Sequence, residues 1–190
     1  MASLFAKLPA IREVEVNLDV LEGILHVGDK SYTLEGDVRD VMDAILAEVT
    51  EKKKIIKRMY LDVFFFAKMI LGDKNYPMHY HIRNPSPPFH NEVINNLYYL
   101  KPGKKIAIVA PRGHAKSTLV SLIYPLHRIL FAEERFILLI SESEMQSKYL
   151  LEALGDEVEY NEKLHFFFGN RVGDVWGKEE KEIITELNKK

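Results

Sequence analysis

The chain has 190 residues, 26 basic and 28 acidic side chains, and a formal net charge of −2. Hydrophobic residues make up 47% of it and charged residues 28%, which is the composition of an ordinary globular protein. Because the chain has no cysteine, a disulfide scaffold, a thiol nucleophile and a cysteine-based zinc site are excluded. The near-neutral charge excludes a globally cationic nucleic-acid binder, so any DNA contact must come from a local basic patch.

The first 36 residues have the pattern of a small β-meander. Residues 13–20 alternate apolar and polar side chains, which is the period of a half-buried strand. A second such run, residues 25–34, surrounds the tight-turn signal Gly28-Asp29-Lys30. We therefore predict an antiparallel β-meander as an N-terminal element, residues 1–36.

Residues 37–100 are predicted to be a helical segment that leads into a second domain. Asp37 is a favourable N-cap, and the apolar residues that follow it recur at helical spacing. A second apolar run, 59–71, ends at Gly72; whether one or two helices form here is open. A proline-rich loop, 75–89, precedes a short helix over 91–100. No run reaches the ~18 uninterrupted apolar residues of a membrane span, so we predict a cytoplasmic protein.

From residue 101 onward the pattern is that of an α/β fold. Residues 106–110 and 136–140 are short apolar runs, typical of strands that are buried on both faces. Helices are predicted over 116–131 and over 144–159, and Ser143 is the predicted N-cap of the second. A third strand is predicted to begin within 182–185. This order predicts a parallel sheet with flanking helices, preceded by the β-meander and the helical segment.

The loop after the first of these runs carries the chemistry. Residues 110–118 read Ala-Pro-Arg-Gly-His-Ala-Lys-Ser-Thr. Lys116 and Ser117 match the Walker A pattern of P-loop NTPases, G-x-x-x-x-G-K-[ST], whereas Ala110 and Ala115 stand at its two glycine positions. The fold class is therefore that of an incomplete P-loop NTPase. Ala115, at the second glycine position, cannot adopt a backbone angle that only glycine allows. Whether the loop can take the Walker A geometry is therefore open.

Each residue type in this loop has a predicted role. Lys116 can reach the β- and γ-phosphates of ATP, and the hydroxyl of Ser117 can ligate Mg²⁺. Arg112 can stabilise charge on the γ-phosphate, unless it is a surface arginine or is paired with a neighbouring acid. Arg112 and Lys116 are thus the candidate catalytic residues. The candidate nucleotide-binding residues are Pro111, Arg112, Gly113, His114, Ala115, Lys116, Ser117 and Thr118.

Six further segments of the chain, in this order, contribute with the loop to a resemblance to a known family. They are residues 62–72, 87–93, 136–154, 166–169, 173–176 and 182–185. Together with the loop they resemble the ATPase domain of the large subunit of tailed-phage terminases, over about residues 60–185. The resemblance implies an ATP-driven hydrolase that packages the viral genome into a procapsid in the host cytoplasm, for a bacteriophage or a prophage.

The resemblance also implies partners and ligands. The implied partners are double-stranded DNA, a small terminase subunit, a portal protein and further copies in a homo-oligomeric ring. The implied ligands are ATP and Mg²⁺, at Lys116 and Ser117 with Thr118 as a secondary candidate, and Arg112 would act on the γ-phosphate. The segment before the loop would hold the adenine, with Phe89, His90 and Glu92 as candidates.

One part of a P-loop ATPase is not found in residues 101–190. An acidic residue should end a second apolar strand and hold Mg²⁺, but the run 136–140 is followed by Ser141. Glu133 and Glu134 follow an apolar run that belongs to the loop's own predicted helix. We therefore expect an N-terminal part of a terminase large subunit, from a split, interrupted or truncated gene, without its Walker B strand or nuclease domain and inactive by itself.

Two other classes of protein stay open. One is a different P-loop NTPase, helicase-like or kinase-like, that is completed by a partner chain. The other is a non-catalytic remnant that binds nucleotide weakly or not at all. A histidine metal site is a weaker alternative, since these side chains are more often solvent-facing or packed; it would use His79, His81 and His90.

Overall fold

The computed structural model describes residues 16–19, 24–27, 30–33, 38–72 and 85–185, with side chains over 47–72 and 85–185. The chain divides into two compact units, Met1–Lys57 and Arg58–Lys190. Within the described ranges, no helix combines the length and the apolar character that crossing a membrane requires.

The first unit contains a three-stranded antiparallel sheet. Its strands are β1 (Val16–Asp19), β2 (Ile24–Val27) and β3 (Lys30–Thr33), in the order β1-β2-β3. Leu25 pairs with Leu18 on one side and with Tyr32 on the other. The predicted turn residues Gly28 and Asp29, and the predicted cap Asp37, lie outside the described residues.

The helical run after the sheet is broken at Asp62. Helix α1 (Val38–Leu61) ends there, and the Asp62 carboxylate accepts hydrogen bonds from the N–H groups of Phe64 and Phe65, each at 3.0 Å. Asp62 is thus the N-cap of a second helix, α2 (Val63–Ile70). The buried residues of α2 follow the i, i+3, i+4, i+7 spacing of one helix face: Val63, Phe66, Ala67 and Ile70.

Two helical stretches follow. Helix α3 (Pro88–Tyr98) starts with proline at its first position, where no N–H is needed. The next stretch comprises α4 (Lys116–Thr118), a π-helical turn (Leu119–Ile123) and α5 (Tyr124–Leu130). In this turn the Tyr124 N–H bonds to the Leu119 carbonyl, five residues back, and Pro125 has no N–H to continue the regular ladder.

Two helices close the helical part of the second unit. Helix α6 (Glu144–Tyr160) confirms the predicted cap, because the Ser143 hydroxyl accepts a hydrogen bond from the Gln146 N–H at 3.3 Å. Helix α7 (Glu162–Phe168) follows, in a segment for which the sequence predicted no helix. Asn161 joins the two helices: its Oδ1 accepts from the Leu164 N–H at 3.0 Å, and its Nδ2 donates to the Ile70 carbonyl at 2.9 Å.

The core of the second unit is aromatic and lies between helices. Helix α2 packs against α5 and α7. Phe66, Phe131 and Phe168 contact one another edge to face, with ring centroids 5.3 to 6.4 Å apart. Burial of each such ring contributes about 1.5–3 kcal/mol relative to an exposed ring. The core therefore needs no parallel sheet.

His127 is the polar member of this core. It is completely buried, and its ring lies 5.2 Å from the Phe66 ring and 4.8 Å from the Phe131 ring. Nε2 donates to the Met59 carbonyl at 3.0 Å, so Nδ1 accepts from the Tyr98 hydroxyl at 3.0 Å. Burial, together with the smaller effect of the neighbouring Arg128 charge, lowers the pKa of His127 to about 4. The imidazole is thus held neutral.

The predicted parallel sheet of an incomplete P-loop NTPase is wrong. Residues 106–110 and 136–140 belong to no strand, and they form no backbone hydrogen bond within the described residues. Their apolar side chains are largely exposed, Val109 to 94% and Ile140 to 81%. A parallel strand needs hydrogen-bonded neighbours and helices on both faces, and an apolar run by itself supplies neither.

The sheet in the described part of the second unit is instead an antiparallel pair. It consists of β4 (Val172–Trp176) and β5 (Lys181–Ile183), with Val172 opposite Ile183. The segment 182–185, predicted to begin a parallel strand, thus pairs with an antiparallel neighbour. The pair lies against α6, where the Trp176 Nε1–H donates to the Glu159 carboxylate at 2.8 Å.

Candidate nucleotide-binding loop

The loop before α4 passes twice through left-handed backbone conformations. Gly113 has φ +81°, and Ala115 has φ +53° with ψ +21°. The left-handed region suits glycine, whereas it costs other residues about 1–2 kcal/mol. Ala115 therefore takes up a conformation in which glycine would be relaxed. The geometry that the sequence left open is adopted, at the expense of local strain.

The backbone N–H groups at the end of this loop are unpaired. The first hydrogen bond of the helical stretch runs from the Leu119 N–H to the Ala115 carbonyl at 2.9 Å. The N–H groups of residues 115–118 consequently find no acceptor within the described residues. Unpaired N–H groups in a loop that contains left-handed residues form a concave, partly positive surface that suits an anion.

The charged side chains of the loop are available. Arg112 is exposed and Lys116 is half-buried, and neither side chain forms an ion pair or a hydrogen bond with a described residue. The alternative in which Arg112 is paired with a neighbouring acid is therefore not seen. Ser117, next to Lys116, is exposed, and Thr118 is half-buried. Two cations and a hydroxyl are thus free to meet a ligand.

The start of α3 contacts the loop through His90. Its side chain is 7% exposed, and its Nε2 lies 2.9 Å from the carbonyl oxygen of His114. Because a carbonyl oxygen can only accept, Nε2 carries the hydrogen and donates it. Phe89 packs on the His90 ring at 4.4 Å and on the His114 ring at 5.9 Å. His114 in turn places Nδ1 3.1 Å from the Arg112 carbonyl.

A cavity of about 480 Å³ lies between α2, the start of α3 and the loop. Most of its surface is apolar. His90 contributes to its wall, whereas Phe89, Lys116 and Ser117 do not. The structure thus places His90 in the wall of the cavity beside loop residues, whereas Phe89 does not line the cavity and Glu92 is exposed to solvent. The residues that line the cavity are Phe64, Ala67, Pro85, Ser86, Pro87, His90, Gly113, His114, Ala115, Thr118, Leu119 and Ile123.

The contribution of α2 to this cavity was missed by sequence reasoning. Phe64 and Ala67 are three residues apart, so the sequence places them close together on one helical face. It contains no signal that this side of the helix would meet the loop some 50 residues later in the chain.

A protein-built metal centre is absent from the described residues. No three His, Asp or Glu side chains there come close enough to hold a metal ion. His79 and His81, the other members of the alternative histidine site, lie outside the described residues. Within the loop, the hydroxyl of Ser117 is the side chain best suited to ligate an ion that arrives with a phosphate group.

Comparison with protein-family profiles, with curated proteins and with solved structures yields no match to this chain. The function must therefore be inferred from the residues and from their geometry.

Proposed function

We propose that the loop 111–118 binds Mg²⁺-ATP. The observation that carries the proposal is that the N–H groups of residues 115–118 and the side chains of Lys116 and Ser117, all in one segment, have no partner within the described residues. The proposal concerns this loop and requires no parallel sheet. Backbone N–H groups and a lysine are the groups with which proteins hold the phosphates of nucleotides.

The chemistry divides among the residues. Lys116 neutralises the β- and γ-phosphates as a point charge, and the free N–H groups donate to phosphate oxygens. The hydroxyl of Ser117 ligates the Mg²⁺ ion that accompanies ATP, which supplies further neutralisation of the phosphates. Arg112 lies on the exposed side of the loop, from which its guanidinium can contact the γ-phosphate.

The neighbouring cavity can accommodate the adenine base of ATP. Its volume of about 480 Å³ and its apolar wall suit a flat aromatic ring. Phe64 and Ala67 of α2 form one side, and Ala115 and Thr118 extend the wall to the loop. In this arrangement His90 is close to the base, and Phe89 acts on it only through His90 and His114.

The biological role that we propose rests on the resemblance to terminase large subunits. The ordered likeness over about residues 60–185 supports a role in packaging double-stranded viral DNA into a procapsid in the cytoplasm, together with a small subunit and a portal protein. Nucleotide binding by this chain would be one component of that motor. Because no Walker B acid is found in residues 101–190, the proposal is limited to binding and does not include hydrolysis by this chain alone.

Isothermal titration calorimetry with Mg²⁺-ATP tests the nucleotide proposal. We expect Lys116→Ala to weaken binding at least about 10-fold, because a charge-assisted contact is lost. Lys178→Ala is the matched control, since Lys178 is an exposed lysine next to the β4–β5 turn, and it should leave binding unchanged. No heat with the unmodified chain, or equal affinity after Lys116→Ala, would favour the non-catalytic remnant.

The packaging role has a separate test. Fluorescence anisotropy with a short DNA duplex, in the presence of Mg²⁺-ATP, should show binding that weakens steeply with salt, as phosphate contacts do. Nucleotide binding without any duplex binding would agree with the proposed binding of Mg²⁺-ATP and would refute the proposed role in DNA packaging. It would then favour another class of nucleotide-binding protein that is completed by a partner chain.

A further inference from the structure

The contact between His90 and the loop spans 24 residues of sequence and ends on a backbone atom. The His114 carbonyl that it engages belongs to the same peptide group as the Ala115 N–H. All peptide bonds in the described residues are trans, so these two groups point in opposite directions. Holding the carbonyl toward α3 therefore turns the Ala115 N–H away from α3 and toward the open side of the loop.

A second contact, within the loop itself, restrains the peptide group between Arg112 and Gly113. The Nδ1 atom of His114 lies 3.1 Å from the Arg112 carbonyl, whose peptide group includes the Gly113 N–H. Phe89 supports the His114 ring, with centroids 5.9 Å apart. His114 thus restrains the peptide group that precedes the left-handed Gly113, and His90 restrains the one that precedes the left-handed Ala115.

The strained conformation of Ala115 needs such a restraint. A non-glycine residue stays in the left-handed region only where its surroundings hold it there. His90 is suited to this task because its own position is fixed: its N–H bonds to the Pro87 carbonyl at 3.0 Å and its ring is buried against Phe89.

We propose that His90 is a positioning residue that holds the loop 111–118 in its anion-binding conformation through the His114 carbonyl. The inference rests on the proposed nucleotide binding for its functional consequence, but its structural consequence is independent of any ligand. A glutamine can replace the contact, because its side-chain amide carries an N–H₂ donor, whereas a leucine cannot.

Two readouts test the proposal in the full chain. The first is the set of backbone amide signals of residues 113–117 in a two-dimensional ¹H–¹⁵N NMR spectrum without nucleotide. His90→Leu should shift these signals strongly, and His90→Gln should restore most of the original positions. The second is the affinity for Mg²⁺-ATP by calorimetry: we expect about a 10-fold loss for His90→Leu, or about 1.4 kcal/mol, and a loss below about 3-fold for His90→Gln.

A matched control exists on α7. The Nε2 atom of His165 also lies close to a backbone carbonyl, that of Val158 at 2.8 Å, but far along the chain from the loop. His165→Leu removes a hydrogen bond of the same kind and should change neither the loop signals nor the affinity. If it changes them as much as His90→Leu does, His90 acts by general stability and the proposal fails.

The two proposals fail in distinguishable ways. Loop signals that stay in place after His90→Leu would overturn the positioning role, whatever the nucleotide affinity is. Shifted loop signals in a chain that never binds Mg²⁺-ATP would uphold the positioning role and refute the proposed function. If His90→Leu does not fold, His90→Gln still tests the proposal. Strong shifts of the amide signals of residues 113–117 in His90→Gln, relative to the original chain, would contradict it.

Discussion

We expect acidification from pH 7 to pH 5 to lower the free energy of unfolding by about 2 kcal/mol through His127 alone. Burial lowers the pKa of His127 from 6.5 to about 4 in the folded chain, with Arg128 acting in the same direction. The folded state therefore binds fewer protons than the unfolded state between these values. The stability that neutral His127 contributes is complete above pH 6.5 and is lost as the pH falls toward 4.

The size of the effect follows from the difference between the two pKa values. Each pH unit within that range removes about 1.4 kcal/mol, so the total loss reaches about 3 kcal/mol below pH 4. Burial decides the direction of the shift. Protonation would place a second hydrogen on Nδ1 toward the Tyr98 hydroxyl, in a core that excludes water. The bond to the Met59 carbonyl, a backbone bond at Tyr60 and the charge of Glu133 favour the charged form, but they are outweighed by burial together with the charge of Arg128.

The measurement is urea unfolding of the original chain and of His127→Gln at both pH values. Glutamine can donate to the Met59 carbonyl and accept from Tyr98, but it does not titrate. The variant should be less stable at pH 7, since its contacts with the Phe66 and Phe131 rings are lost, and it should lose about 2 kcal/mol less than the original chain on acidification. The chain has seven histidines, and the comparison cancels the other six. Equal losses in the two proteins would refute the reasoning.

Three further predictions concern the loop, a buried cap and an exposed apolar segment. Ala115→Gly should raise the free energy of unfolding by about 0.5–1 kcal/mol in urea titrations, because relief of the left-handed strain exceeds the extra entropy of glycine; a loss of stability would contradict it. Asn161→Asp should lower it by about 2–3 kcal/mol at pH 7, since the donor to the Ile70 carbonyl and to the Glu157 carboxylate, at 2.9 and 2.6 Å, is replaced by a charged acceptor; a change below about 1 kcal/mol would argue against that contact. Phe136→Lys should reduce self-association in sedimentation velocity runs, because Phe136 is 77% exposed on an apolar segment that forms no backbone hydrogen bond within the described residues; unchanged association would show that this segment is not responsible.

Local signals predicted several helices of the second unit, because a helix closes its hydrogen bonds within its own sequence, but they did not predict α7. Ser143 as the cap of α6 and the helical stretch after Lys116 were both read correctly. The break at Asp62 was left open, because an aspartate inside a helical pattern is a cap only if the chain actually turns there.

The errors lie where structure depends on partners that are distant in sequence. The apolar runs 106–110 and 136–140 have the composition of buried strands, but a strand forms only when another strand lies at hydrogen-bonding distance, and none does so in the described part of the chain. For the same reason, the loop residues were identified from their motif, whereas the bond from His90 to the His114 carbonyl was not predicted. The position of His90 in the sequence does not indicate which backbone carbonyl its ring will contact.

The strain at Ala115 and the bond from His90 should be energetically coupled. If His90 holds Ala115 in the left-handed region, Ala115→Gly relieves strain only while that bond exists. In the His90→Leu background the loop can relax, so the gain from glycine should fall from about 0.5–1 kcal/mol toward zero. A double-mutant cycle in urea measures this interaction directly, since residues in contact depart from additivity by about 0.5 kcal/mol or more. Equal gains in both backgrounds would mean that the loop's own sequence, and not α3, sets the conformation of Ala115. Ala115 would then keep its left-handed conformation without the bond from His90, and the loop would adopt its anion-binding conformation independently of α3.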